Sequence, residues 1–332
     1  MLSAIASATL LDDDFRQDPT TLDLETWIAD LTGKEAGLFV VSGTMGNQLS
    51  IRSHLQTPPY GIVCDARSHI MNYEAGGIAS LNGALTIPVH PANGKYLTVE
   101  DIERSAIVAP YDHCACPTRL LCLENTLGGT ILPLSECRRI RKWSQRHNIM
   151  LHLDGARLWE AVAAGAGTLQ EYCECFDSVS LCFSKGLGAP IGSIIVGTEV
   201  FRERARWIRK SIGGGMRQAG VVSAAARRAV EETFLAGKLQ ESHEKARQIA
   251  RLWEGYGGKL VYPVETNMVW LDLDAAGVNI ETFREEGAAL GLKFMMGGRL
   301  VVHYQITQDA VQRLDVLMRN LLRVRRDGLA RL

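Results

Sequence analysis

The chain has 332 residues, 46% of them apolar and 22% charged, with a formal net charge of −1. Those proportions exclude a disordered or fibrous chain and leave room for a large domain with a smaller one appended. Balanced charge argues against nucleic acid or a membrane surface as principal partner and points to a small molecule.

The N-terminal stretch lacks a basic start and runs from its apolar residues into Asp12–Asp14, unlike a secretory leader. An apolar run at Gly37–Val41 is followed by Ser42-Gly43-Thr44-Met45-Gly46-Asn47, which opens a helix. Strands are then expected at Gly61–Asp65, Leu85–Val89, Arg119–Leu123, Ile149–Leu153, Ser178–Phe183 and Ile191–Val196. Their near-continuous hydrophobicity suits strands covered on both faces. Alternation with helical patterns makes the class α/β with a mostly parallel sheet. One crossover helix is signalled from Ser135, as N-cap, to Arg146. A long helix is expected from Gly220 to about Trp253, spanning the boundary between a large domain, 1–235, and a small α/β domain, 236–332. The latter has strands at Lys259–Tyr262, Asn267–Leu273 and Leu300–His303 and helices at Ile280–Ala289 and Ala310–Arg323. No run approaches the roughly 20 apolar residues that cross a bilayer.

Eight cysteines scattered over the chain are too sparse for a disulfide scaffold and fit a reducing, cytoplasmic setting. Cys114/Cys116, beside His113, and Cys173/Cys175 are spaced by one residue rather than the two to four of zinc sites, so no metal is expected. Cys64, Cys122 and Cys182 read as small buried hydrophobes.

In an open parallel sheet, ligands gather beyond the carboxyl ends of the strands. Strand Arg119–Leu123 ends in Glu124-Asn125-Thr126, strand Ile149–Leu153 in Asp154-Gly155-Ala156-Arg157, and strand Ser178–Phe183 in Ser184-Lys185-Gly186. A carboxylate, a guanidinium and an amine thus reach one edge of the sheet. The helix start after Ser42 aims N–H groups at an anion. Singly these are ordinary residues: a solvated lysine, a strand-end aspartate, a helix cap. Together they are the parts of a pyridoxal 5′-phosphate (PLP) site, in which a lysine holds the cofactor as a Schiff base, a carboxylate keeps the pyridine nitrogen protonated and a cradle anchors the phosphate.

The segments LTGKEAGLFVVSGTMGNQ, CDARSHIMNYEAGG, LENTLGGTILPL, HLDGARLWEA, SVSLCFSKGLGAPIGSIIVG, WIRKSIGGGMRQAG, ETNMVW and MMGGRLVVHYQIT carry a resemblance to the low-specificity threonine aldolases, fungal members especially, of the β-eliminating lyase superfamily. It runs from about Ile5 to the C-terminal helix. It implies PLP fold type I, aspartate-aminotransferase-like, and retro-aldol cleavage of L-threonine or L-allo-threonine to glycine and an aldehyde. It also implies that Lys185 forms the Schiff base, Asp154 meets the pyridine nitrogen, Gly43 and Thr44 bind phosphate and His69 stacks on the ring. Arg157 lies near cofactor and substrate, and Arg299 clamps the substrate carboxylate. Lys210 and Arg217 match positions that reach the phosphate in a neighbouring subunit, implying a homodimer or homotetramer with shared sites; their bland reading is a cationic helix end.

Three features depart from that family's pattern. The Arg-Ser-Asp-Thr loop with which its chains usually begin does not occur here, a usual tyrosine is Phe15, and after Glu124-Asn125-Thr126, where many relatives carry a histidine that can touch the substrate hydroxyl, this chain reads Leu127-Gly128-Gly129. The hydroxyl base is therefore left between His69 and a water. Alanine racemases of similar sequence are the first rival reading, a binding protein without turnover the second. A nucleotide-binding domain is disfavoured, because Gly213-Gly214-Gly215 follows a basic helix and no G-x-G-x-x-G opens a strand–helix turn early in the chain.

Overall fold

The computed structural model of the chain describes residues 1–108 and 113–329. They divide into two compact units, the first built from Met1–Leu127 and Ile131–Ala236, the second from Gly128–Thr130 and the described residues from Gly237 onward.

The first unit holds a seven-stranded sheet. Its strands are β1 (Ala36–Val40), β2 (Gly61–Asp65), β3 (Leu85–Val89), β4 (Thr118–Glu124), β5 (Met150–Asp154), β6 (Ser178–Cys182) and β7 (Ser193–Gly197). They lie in the order β1-β7-β6-β5-β4-β2-β3. The run β3-β2-β4-β5-β6 is parallel, whereas β7 is antiparallel to both β6 and β1. Strands β1, β2, β6 and β7 are buried along their whole length, as continuous apolar runs under helices on both faces require. Strand β3 differs: it is an edge, Leu85 is 54% exposed, and Pro88 sits where a missing ladder donor is tolerated.

Helix starts follow local chemistry. Asp18 caps Pro19–Thr32 through the Thr21 N–H, and Thr98 and Thr168 form capping boxes with Asp101 and Glu171. The crossover helix starts two residues ahead of expectation. It spans Leu134–Arg146, Pro133 stands at its N-cap without a side-chain bond, and Ser135 lies inside the first turn. The expected helix from Gly220 to Trp253 is two helices, Gly220–Ala229 and Lys238–Gly255, separated by a π-helical turn at Val230–Phe234 and by Gly237 at φ +76°. Composition favours helix throughout that stretch, but a left-handed glycine ends the run.

The second unit pairs β8 (Met268–Trp270) with β9 (Arg299–Val301), antiparallel, and packs them with helices Lys238–Gly255, Ile280–Ala289 and Gln308–Leu329. Trp253, Phe283, Leu317 and Met318 form its core. The strand expected at Lys259–Tyr262 is reduced to one bridge, Leu260 to Leu271. Its entry is folded tightly against a helix: Trp253 Nε1–H donates to the Lys259 carbonyl at 2.7 Å, and a Cβ on Gly258 would lie 2.3 Å from the Trp253 ring. Among the described residues, no helix is long and apolar enough to cross a membrane.

Candidate active site

Strands β4 and β5 end side by side, with Glu124 registered opposite Asp154. Asp154 is 5% exposed, and both its oxygens are engaged. Oδ1 accepts from the Ala156 N–H at 3.0 Å, and Oδ2 accepts from Asn47 Nδ2 at 2.8 Å. The chain leaves β5 through Gly155, where a Cβ would lie 2.9 Å from the Ser180 carbonyl of β6, so the exit is confined to glycine. The carboxylate is therefore clamped from its own backbone and from the helix Gly43–His54.

His69 opens a short helix after β2. Its N–H donates to Glu124 Oε2 and its Nδ1 to Glu74 Oε1, both at 2.8 Å. The side chain of Glu74 is fully buried; its Oε1 also accepts from Asn47 Nδ2 at 2.8 Å and its Oε2 from Gln48 Nε2 at 2.6 Å. Ligating atoms of His69, Glu74 and Asp154 lie within 4.8 Å of one another, with the amide hydrogens of Asn47 and the Nδ1–H of His69 directed at the carboxylates. The Glu74 bond raises the His69 imidazole above its ordinary value, against burial and the Lys185 charge. Lost hydration, together with the neighbouring Asp154, pushes Glu124 up to about 8, although the His69 N–H and Lys185 oppose it.

Lys185 follows β6 by three residues, in a half-buried turn closed by Gly188 N–H on the Lys185 carbonyl at 3.0 Å and Ala189 N–H on the Phe183 carbonyl at 2.9 Å. Its charge acts on both Glu124 and His69. The helix Gly43–His54 has no acid in its first turn, and Ser42 Oγ caps the Met45 N–H at 3.1 Å. The N–H groups of Gly43 and Thr44 thus lack intrahelical acceptors. Ser193 Oγ is buried without a partner among the described residues and lies 3.6 Å from where a Cβ on Gly43 would stand. This set fits PLP: free N–H groups and an unsatisfied hydroxyl for a phosphate, an amine for the aldehyde, a fixed carboxylate for the ring nitrogen and an imidazole for its face.

The remaining residues singled out in the sequence stand as follows. Arg157 occupies the N-cap position of the helix Leu158–Ala163, three residues after Asp154. Lys210 and Arg217 are 66% and 60% exposed, and they pair with Asp14, at 2.6 Å, and with Asp12. Arg217 also lies over the Phe15 ring at 5.5 Å. Arg299, in the second unit, contacts Met296 Sδ at 3.6 Å and stands 5.7 Å from the Trp270 ring. Sequence reasoning missed Asn47, Gln48, Glu74 and His152. Their signal was available: polar residues at positions that the strand–helix pattern buries must find polar partners.

The profile of the beta-eliminating lyase family matches residues 1–276. An aldolase of Penicillium aethiopicum is 65% identical over 97% of this chain and 82% of its own. An alanine racemase of Cochliobolus carbonum is 47% identical over 97% and 84%. The low-specificity L-threonine aldolase of Saccharomyces cerevisiae is 42% identical over 95% and 81%. Among solved structures, the threonine aldolase of Leishmania major superposes with a TM-score of 0.79 at 20% identity, covering 96% of this chain and 95% of its own, so the two share a fold.

Proposed function

The chain belongs to the beta-eliminating lyase family and is a PLP-dependent lyase, and from that premise we propose that it cleaves the Cα–Cβ bond of L-threonine, L-allo-threonine and related β-hydroxy-α-amino acids, giving glycine and an aldehyde. The observation that carries this reading is the Asp154 carboxylate, held at the end of β5 by the Ala156 N–H and the Asn47 amide. When bound, PLP supplies an electron sink for the pair released at Cα. Lys185 holds it covalently, Gly43 and Thr44 present N–H groups to its phosphate, Asp154 keeps the ring nitrogen protonated and Arg157 serves the cofactor and substrate oxygens. Arg299 takes the substrate carboxylate, a task suited to a guanidinium fork. The hydroxyl proton passes to His69 Nε2, directly or through a water, because Nδ1 is committed to Glu74. The carbon–carbon bond then breaks, the aldehyde leaves, and Cα takes up a proton.

The segment Leu127-Gly128-Gly129, where many relatives carry a histidine, favours a second reading, alanine racemisation, which needs no hydroxyl base. Incubation with PLP and L-threonine, L-allo-threonine or L-alanine, with products resolved on a chiral column, decides: glycine with acetaldehyde supports the aldolase, D-alanine the racemase, and no turnover refutes both. Lys185→Ala should leave no PLP attached after borohydride reduction; retained cofactor would refute the lysine assignment.

The exposed cations Lys210 and Arg217, tethered by Asp14 and Asp12, support a homodimer or homotetramer in which they approach a neighbour's phosphate. The buried free thiols of Cys64, Cys122, Cys137, Cys173, Cys175 and Cys182 support a cytoplasmic setting.

A further inference from the structure

Asp154 is also the end of a buried hydrogen-bond chain that the functional reading does not use. The helix Gly43–His54 presents Asn47 and His54, seven residues apart and so on one face, to the sheet; β5 presents His152 and Asp154, two apart, from one face of its own. Between them Ser178 opens β6. The contacts are His54 Nε2 to Ser178 Oγ at 2.7 Å, Ser178 Oγ to His152 Nδ1 at 2.8 Å, and His152 Nε2 to Asn47 Oδ1 at 3.2 Å. Asn47 Nδ2 then meets Asp154 Oδ2 and Glu74 Oε1, each at 2.8 Å. His152 and Ser178 are fully buried, and Asn47 is 1% exposed.

The direction of every bond is forced from the acidic end. Two carboxylates accept, so the Asn47 NH2 must face both and its oxygen must face His152. His152 therefore carries its proton on Nε2, which leaves the Nδ1 lone pair to receive the Ser178 O–H. Ser178 in turn accepts from the Nε2–H of His54. If Asn47 rotated by half a turn, its oxygen would point at two anions and its NH2 at an N–H. The His152 proton is what makes that rotation costly, since it would strand several buried polar groups at once.

We propose that Asn47 and His152 are positioning residues of the lyase: they lock the Asp154 carboxylate and, through Glu74, the His69 imidazole into a single arrangement on opposite sides of one amide group. The proposal rests on the PLP reading of the site. Within it, one amide joins the group that holds the ring nitrogen to the group that holds the ring-stacking imidazole, so disturbing His152 displaces both.

The first test needs no cofactor. In ¹⁵N-histidine spectra of the cofactor-free protein, His152 should be the neutral Nε2–H tautomer, with an unprotonated Nδ1, from pH 5 to 8; an Nδ1–H tautomer overturns the proposal. The second compares His152→Phe, which keeps a ring but no donor, with His152→Gln, which can return an N–H to Asn47. In the PLP-loaded protein, His152→Phe should lower kcat about tenfold, the effect of losing roughly one buried hydrogen bond, with KM for L-threonine little changed. It should also shift the pH at which the visible band of the bound cofactor changes. His152→Gln should recover most of both effects. A folded His152→Phe protein with wild-type spectrum and kcat overturns the proposal. Should His152→Phe not fold, His152→Gln decides alone, since a donor-independent role predicts a loss there too. Failure of the PLP reading shows differently: wild-type protein that takes up no PLP refutes the reading and the proposal with it, whereas wild-type turnover with the wrong His152 tautomer refutes the proposal only.

Discussion

An amide at position 154 would present an NH2 group where the structure needs an acceptor. If Oδ1 of such a residue keeps the Ala156 N–H, its nitrogen faces Asn47 Nδ2, which the carboxylate now meets at 2.8 Å. Two donors would then oppose each other, and no charge would remain to stabilise a protonated ring nitrogen. Asp154→Asn is expected to fold with a stability loss of about 1–3 kcal/mol, while turnover falls by about a hundredfold or more, as when a preorganised electrostatic partner is removed. Near-normal turnover in well-folded protein would remove Asp154 from the ring nitrogen. Arg299 poses a different question, because its guanidinium has no carboxylate partner among the described residues, only Met296 Sδ and the Trp270 ring. Lysine would keep the charge and lose the two-pronged bond to a carboxylate. Arg299→Lys should therefore raise KM for L-threonine by roughly ten- to a hundredfold, the worth of a charge-assisted bond of about 1.5–3 kcal/mol, and leave PLP affinity in place. Steady-state kinetics with a PLP titration check this, and an unchanged KM would remove Arg299 from the substrate.

At the scale of elements, the helix Gly43–His54 does three things at once: its start offers free N–H groups, its first full turn brings Asn47 to Asp154, and its end brings His54 to Ser178. Its capping bond, Met45 N–H to Ser42 Oγ at 3.1 Å, sets where the helix begins. Ser42→Ala should cost about 1 kcal/mol of stability and weaken PLP binding more than it changes kcat, read by urea unfolding alongside a PLP titration. This helix shows why part of the site was legible in sequence and part was not. A Ser-Gly-Thr turn after an apolar run announces a helix start, and Asp154 and Lys185 announce themselves by following buried strands. The polar character of Asn47, Glu74 and His152 at buried positions hints at a role, but Asn47 and His152 act through partners 26 or more residues away, and Glu74 joins nearby His69 to distant Asn47, so spacing along one chain does not name the partners. The same limit explains the fold's departures from expectation. Strand β3 reads as apolar yet lies at the edge, because sheet order is not written in any single strand. The helix after Gly220 breaks at Gly237 against a propensity that favours continuing.

For the molecule as a whole, the buried titratable groups set a pH window of stability. Burial holds His54 down to about 4 and His152 down to about 3, so the unfolded chain binds protons at these residues below pH 6.5 that the folded chain refuses. Stability therefore falls as pH drops from 6.5 toward 3. Asp101, lowered overall because its bonds from Thr98 and Ala92 and the Arg104 charge outweigh burial, adds to that acid limb, since stability gained by a depressed carboxylate is lost on protonation. Glu25 and Glu124 act in the opposite sense: burial raises them from 4.5 to about 7 and about 8, so the folded state holds their protons and loses stability as pH climbs through that range. His69, raised chiefly by its bond to Glu74, contributes stability that is present below pH 6.5 and lost above it, which steepens the alkaline limb. Between about pH 4.5 and 6.5 the two histidines and the two glutamates offset each other. Each group changes the stability by at most about 1.4 kcal/mol per pH unit within its own range. Urea unfolding of the cofactor-free protein should accordingly show a plateau near pH 5–6.5 with declines on both sides. Glu25→Gln should flatten the decline between pH 6.5 and 7 and, by removing one of the two offsets to the histidines, turn the plateau into a rise between about pH 4.5 and 6.5, with the limb below pH 4.5 unchanged. The fold should survive, because the amide oxygen can still accept the Phe39 N–H that Glu25 now takes at 2.8 Å. A Glu25→Gln profile parallel to wild type above pH 6.5 would show that Glu25 is already ionised there and does not shape the alkaline limb.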